Sequence, residues 1–290
     1  MIKISIPIFF PDITYKFECY EDYLLFRKTD TRTKSLFLFA LAILLLFGCE
    51  GSNPIDPADI IDVGIFNGSG TWAESVTALT HAVENAGFDV EVFDDVVFFT
   101  GNLNKYRMII WPGGDPREYS VNLGSIGLTR IRNYVEFGHG FFGVGGGAAI
   151  ADSDSGHWAG AGLFRGDAVW PVDRIRPYPD EVLTDIILSD RGHEISRNSA
   201  NQYVSLYRWG PEFNIFHSGG ISVVYRYVIT GNPAIIAFPF GAGRVVLSGC
   251  QLEIEENNER DGTGYSIEPG DPDSEWELIE KILFYCLNNI

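Results

Sequence analysis

Basic residues, cysteines and a nucleophile where one is expected are what this chain is short of. Its 290 residues hold 21 Lys and Arg against 39 Asp and Glu, a formal net charge of −18. Binding a polyanion rests on Lys and Arg neutralising phosphates, so nucleic acid is excluded as a partner. Four cysteines are too few for a disulfide scaffold. Past residue 49 only Cys250 and Cys286 remain; they read as two buried free thiols, with one bridge between them as the alternative. No paired Cys/His spacing marks a zinc site. No Walker loop or dinucleotide fingerprint is present. No metal and no cofactor is therefore expected. The histidines are His81, His139, His157, His193 and His217, and none stands beside a Ser or Cys in a recognisable catalytic turn.

The first 48 residues differ from the rest. Leu36 to Phe47 is an unbroken apolar run, preceded by Arg27, Lys28, Arg32 and Lys34 and followed by Gly48-Cys49. A basic flank, a short apolar core and a small residue before the cut describe a secretory signal. The run is short for a bilayer crossing, which needs about 20 apolar residues. Leu46-Phe47-Gly48-Cys49 resembles the lipobox of bacterial lipoproteins, with Phe47 bulkier than the residue usually found there. The resemblance implies that Cys49 becomes the acylated first residue of a mature chain held outside the cytoplasm, in the bacterial cell envelope, with the membrane as a partner. A plain transmembrane anchor and a buried core helix are the other readings. Residues 1–34 are long for a leader, and Ile8-Phe9-Phe10 and Tyr23–Phe26 are unlike one; a start placed too far upstream accounts for both. With the six basic and five acidic residues of the leader set aside, 15 basic and 34 acidic remain, a net of −19. Residues 49–58, rich in turn formers, read as a tether. Residues 59–290 are enough for one α/β domain.

Within 59–290, apolar runs alternate with amphipathic stretches. Strands are predicted at Ile60–Phe66, Asp89–Phe93, Tyr106–Trp111 and Gly140–Val144. Helices are predicted at Trp72–Ala86, stopped by Gly87, and at Ser125–Phe137. The second half is richer in strands, at Gly166–Val172, Glu181–Leu188, Ile221–Val228, Ala234–Phe238 and Arg244–Ser248. A last helix follows, with Ser274 and Glu277 at capping-box spacing and Trp276, Ile279, Ile282, Leu283 and Cys286 on its apolar face. Such alternation argues for a parallel sheet with helices on both faces. Ligands then bind beyond the carboxyl ends of the strands. The turns at 67–70, 112–115 and 143–147 fall there.

The third of these turns is the most informative. Gly140-Phe141-Phe142-Gly143-Val144-Gly145-Gly146-Gly147 has the pattern of a nucleophile elbow, an apolar strand rising to Gly-x-X-x-Gly before a helix. The X position is Gly145, so nucleophilic catalysis there is excluded. Trp111-Pro112-Gly113-Gly114, this elbow and Gly243–Glu253 follow one another in order, and together they resemble the class I glutamine amidotransferase-like fold over roughly 60–255. Tyr207-Arg208-Trp209-Gly210-Pro211-Glu212-Phe213 is similar to a segment of one branch, the domain at the N-terminus of some biotin-protein ligases. The resemblance implies a flavodoxin-like three-layer sandwich with a mostly parallel central sheet.

It also implies a Cys–His–Glu triad, with nucleophile, base and orienter in sequence, and backbone amides holding the oxyanion. Here the nucleophile position is Gly145 and the base position is Gln251, which is no general base near neutral pH. Glu253 alone matches. The oxyanion elements Gly113, Gly114 and Gly146 are present. The expectation is a non-catalytic lipoprotein that binds a small molecule or a partner protein, with Gly113, Gly114, Asp115, Gly146, His157 and Tyr207 as candidate ligand-binding residues. The alternative is a hydrolase or amide-processing enzyme using His157, Glu253 or a nearby Asp. Plainer readings stand beside both: the glycines let a helix approach the sheet, Gln251 and Glu253 end a strand in water, and Glu253–Asp261 is a solvated acidic loop. The aromatics Trp111, Trp158, Trp170, Trp209, Tyr207 and Tyr225 either pack the core or stack on a ligand.

Overall fold

The computed structural model describes residues 59–153, 156–216, 219–255, 260–264 and 274–288, together with the backbone of three N-terminal strands. The apolar run 36–47, Cys49, the tether to residue 58 and the side chains of Glu256, Glu259, Asp271 and Asp273 lie outside the described residues. The chain divides into two compact units, Met1–Pro54 and Ile55–Ile290. In the first, β1 (Ile4–Phe10), β2 (Ile13–Tyr20) and β3 (Tyr23–Leu24) form an antiparallel meander. Among the described residues no helix is long and apolar enough to cross a membrane.

The second unit is built on one nine-stranded sheet. In chain order its elements begin with β4 (Ile61–Phe66), α1 (Ala73–Asn85), β5 (Val90–Phe93), α2 (Asp95–Thr100) and β6 (Tyr106–Trp111). Then come α3 (Pro116–Glu136), β7 (Gly140–Val144), the single turn α4 (Gly146–Ala149), β8 (Gly166–Val169), β9 (Val182–Leu188), β10 (Gln202–Tyr207) and β11 (Glu212–Ile215). The chain ends with β12 (Ser222–Tyr227), β13 (Pro233–Phe240), β14 (Gly243–Ser248) and α5 (Trp276–Leu287). The spatial order is β10-β9-β12-β13-β14-β7-β6-β4-β5, and β8 and β11 pair separately. Strands β14, β7, β6, β4 and β5 are mutually parallel. The pairs onward from β14 are antiparallel, so seven of the nine strands point the same way and only β13 and β9 run against them.

Strand side chains alternate across the sheet and feed two cores. Met108, Ile110, Phe142 and Val144 face one side, where Val76, Leu79 and Val83 of α1 and Ile279, Ile282 and Leu283 of α5 pack on them. Ile109, Trp111, Phe141 and Val245 face the other, under Leu128, Ile131 and Val135 of α3. Each such fully buried side chain is worth about 1.5–3 kcal/mol relative to exposure. The result is the mixed α/β three-layer sandwich with a large, mostly parallel sheet that the sequence predicts.

Local details differ from expectation. Helix α3 starts nine residues before Ser125: Asp115 caps it by accepting the Arg117 N–H at 2.9 Å, and Pro116 sits in its first turn. Gly124, at φ 55° and ψ −173°, breaks it into two pieces. Helix α2 is an unpredicted turn and a half, capped by Asp94 on the Val97 N–H. Ser274 and Glu277 form no capping box. The Ser274 hydroxyl donates to Glu255 Oε1 at 2.6 Å and Glu277 pairs with Lys281, while Glu275 stands at the N-cap. Cys250 and Cys286 are free and buried.

Candidate functional site

The elbow is built as its sequence predicts. β7 delivers Gly145 at φ 51° and ψ −119°, a pose that strains any residue with a side chain. Its N–H donates to the Ser248 carbonyl at 2.8 Å, tying it to β14, and its own carbonyl accepts from Ala148 and Ala149. One residue on, a Cβ at Gly146 would overlap the Gly114 carbonyl, so the second turn and the elbow touch through bare backbone.

The Gly113-Gly114 turn is held from the other side. The Trp72 N–H donates to the Gly113 carbonyl at 2.8 Å and the Asp115 N–H to the Gly70 carbonyl at 3.0 Å. This joins the turns after β4 and β6 as a narrow two-stranded lip. Asp115 lies on it, paired with Arg117 at 2.6 Å. Burial alone would raise the Asp115 carboxyl, but the hydrogen bonds from Arg117 outweigh that and hold it below its ordinary pKa.

After β14, the Ser248 hydroxyl donates to the Cys250 carbonyl and accepts the Cys250 N–H. The turn lays Gln251 against β10, where its N–H donates to the Leu206 carbonyl at 2.9 Å. The Gln251 side chain then runs into the elbow. A Cβ at Gly145 would overlap its Nε2, and one at Gly113 would lie 2.9 Å from its Oε1. The carboxamide therefore fills the space a nucleophile at 145 would need. Nε2 donates to the Arg208 carbonyl at 3.3 Å, whereas Oε1 is buried without a partner among the described residues.

Glu253 is fully buried. Its Oε1 accepts from the Ser75 hydroxyl at 2.5 Å, and that hydroxyl in turn accepts the Gly113 N–H at 2.9 Å. Oε2 has no partner. Burial, opposed by the Ser75 hydrogen bond, pushes its carboxyl up to about 8. Glu253 thus braces the Gly-Gly turn through Ser75.

Above Gln251 opens a cleft of about 200 Å³. It is lined by Gly70, Thr71, Trp72, Gly114, Asp115, Arg208, Trp209 and Gln251. The Arg208 guanidinium lies between two indoles, 4.2 Å from the Trp72 ring and 4.3 Å from Trp209, and bonds Glu181 at 2.5 Å.

Gly113, Gly114, Asp115, Gly145, Gly146, Gln251 and Glu253 are thus brought together. Two candidates are not. Tyr207 is fully buried below the cleft; its hydroxyl accepts the Val172 N–H at 2.7 Å and donates to the Gly210 carbonyl at 3.0 Å, so it knits loops. His157 is exposed beyond α4, beside Trp158, and does not line the cleft. Gln251 and Glu253 do not end a strand in water, and Glu253, Glu255 and Asp261, the members of the acidic run among the described residues, are buried. Among the described residues no acidic or Cys/His group is arranged to hold a metal ion. Of the aromatics singled out, only Trp209 lines the cleft; Trp111 and Tyr225 are core. Trp72, Arg208 and Ser75 were missed. Ser75 reads as an ordinary helix residue, and nothing local links Trp72 to Arg208.

The fold is a glutamine amidotransferase-like architecture, with glycine at the elbow position 145 and Gln251 beside it. A glutamine amidotransferase from Thermotoga maritima superposes with a TM-score of 0.57 at 9% identity, over 78% of this chain and 98% of that one. A putative GMP synthase component from Thermoplasma acidophilum gives 0.52 at 10% identity, over 79% and 95%. A cytoplasmic protein from Salmonella typhimurium gives 0.51 at 10%, over 78% and 99%. Identities this low establish the fold alone. No family model matches the chain. No curated protein matches it in sequence.

Proposed function

We propose that this chain is a glutamine amidotransferase-like binding protein without amidotransferase chemistry. Its cleft takes a small molecule or a short segment of a partner protein, and a lipid on Cys49 tethers it in the bacterial cell envelope. One observation carries the non-catalytic reading: the Gln251 carboxamide occupies the space in front of Gly145. An acyl-transfer site needs a nucleophile there, with a base in reach. Similarity of Tyr207–Phe213 to the N-terminal domain of some biotin-protein ligases supports placing the chain near that branch. The lipobox-like Leu46–Cys49 supports the tether.

The test is turnover by the purified full chain on glutamine, simple amides and esters. None is expected. Turnover that disappears in Glu253→Gln would overturn the reading. It would favour the second one, an enzyme using Glu253, whose raised pKa and unpartnered Oε2 are features of working acids.

A further inference from the structure

We infer that Glu253 is a proton-dependent latch on the cleft: opening of the Gly113-Gly114 turn is coupled through Ser75 to loss of the Glu253 proton, so the turn loosens as pH rises. The latch is a property of the cleft's frame, whatever the cleft takes. Three chain segments meet at one serine. Ser75 stands in the first turn of α1, Gly113 in the turn after β6 and Glu253 in the segment after β14. The Ser75 hydroxyl donates to Glu253 Oε1 at 2.5 Å and accepts the Gly113 N–H at 2.9 Å. The Gly113 carbonyl in turn accepts the Trp72 N–H at 2.8 Å. Trp72, Gly114 and Asp115, which flank these bonds, line the cleft. Ser75 and Glu253 are both fully buried, so water reaches neither while the relay is intact.

An ionised carboxylate has about four lone-pair sites to satisfy. Here it meets the Ser75 hydroxyl and its own backbone N–H, and among the described residues no basic side chain bonds it. The groups that face it do not favour its charge. Asp261 opposes ionisation, and the buried Cys250 thiol feels both Glu253 and Glu275, the N-cap of α5. Glu255 is engaged by Arg260 and Ser274, α5 contributes only the Trp276 indole N–H to the Glu253 carbonyl, and His81 of α1 is exposed. Burial therefore pushes the carboxyl up to about 8 while the turn is shut. Once the turn swings away and water enters, the carboxyl returns toward its ordinary 4.5. Between these limits the closed form alone holds the proton. The opening equilibrium therefore gains about tenfold per pH unit across them and is level on either side.

Amide hydrogen exchange of the full chain, read by mass spectrometry from about pH 5 to about pH 8, tests the latch. Peptides covering 112–118 report the turn, and peptides covering 140–144 report the core strand β7. Intrinsic exchange rises about tenfold per pH unit, and an opening indifferent to pH adds nothing to that slope. In the wild type the turn is expected to rise about a hundredfold per unit, the intrinsic factor multiplied by the linked one. It should also exchange faster than β7 and stay insensitive to low urea, the mark of a local opening. Glu253→Gln keeps an acceptor for Ser75 but cannot ionise, so the slope should fall back to the intrinsic one. If that variant fails to fold, Ser75→Ala carries the test. The turn, cut from the carboxyl, should then exchange faster at the acid end and show the intrinsic slope alone. An intrinsic slope in the wild type, or a steep one that survives in either variant, overturns the latch. So does a steep slope that β7 shares at the same rate, because global unfolding then releases the proton.

Discussion

Replacing Gly145 with alanine tests the central geometric claim, that the Gln251 carboxamide and a side chain at 145 compete for one space. Two costs are expected. A Cβ at φ 51° adds roughly 1–2 kcal/mol of backbone strain. It also drives out a buried amide that holds the Arg208 carbonyl, adding about 1–3 kcal/mol for the polar groups left unpaired. Together these give about 2–5 kcal/mol, and at roughly 2–4 °C per kcal/mol for a domain of this size Tm falls by several degrees or more. Urea denaturation of Gly145→Ala, Gln251→Gly and the double variant then separates the two. Once Gln251 is truncated only the backbone strain remains, so the cycle shows a favourable coupling of about 1–3 kcal/mol. Additive costs, within about 0.5 kcal/mol, would refute the competition and with it the account of why the nucleophile is absent.

Glu253 makes stability depend on pH in an uncommon direction. With its folded pKa at about 8 and its unfolded value near the ordinary 4.5, the native state alone holds the proton between these limits. The contribution is therefore complete below 4.5 and declines as pH rises to 8, by up to about 1.4 kcal/mol per unit; Glu253→Gln should flatten that slope, and an unchanged slope would place the titration elsewhere. Tyr207→Phe leaves the Val172 N–H without its acceptor and the Gly210 carbonyl without its donor, and should cost about 1–3 kcal/mol in urea denaturation while ligand affinity holds. A loss of affinity at full stability would return Tyr207 to the site. Cys49→Ala should abolish incorporation of radiolabelled palmitate, and label that persists refutes the lipobox reading.

The sheet was legible because its strands carry an apolar signal on both faces. Met108-Ile109-Ile110 and Phe141-Phe142 serve both cores, and no solvated alternation obscures them. Helices α1 and α5 showed through the spacing of their apolar faces. The missed elements have weaker marks. Val96-Val97-Phe98-Phe99 has no helical period, and only Phe98 is buried. The first turns of α3 are largely polar and end at Gly124, so periodicity found only the second piece. Strand β10 buries Ser205 among its apolar residues, and β11 has four residues and pairs only with β8. At the site, the backbone was read correctly from glycine positions, since close approach and positive φ leave a mark in sequence. The side chains that finish the cleft were not. Trp72 follows β4 and Arg208 follows β10, and only the fold stacks them. The burial of Glu253, Glu255 and Asp261 went unread because charge alone gives no sign of Arg260 bonding Glu255, or of Ser75 bonding Glu253.

The interlock of Gly145 with Gln251 also bears on how such a protein changes over generations. A cysteine arriving alone at 145 collides with the carboxamide, and a histidine arriving alone at 251 finds nothing to activate. Neither single step confers a benefit, and the first costs stability at once. Building a nucleophile and base here would need both positions changed together, 145 to carry the nucleophile and 251 to clear its space and carry the base.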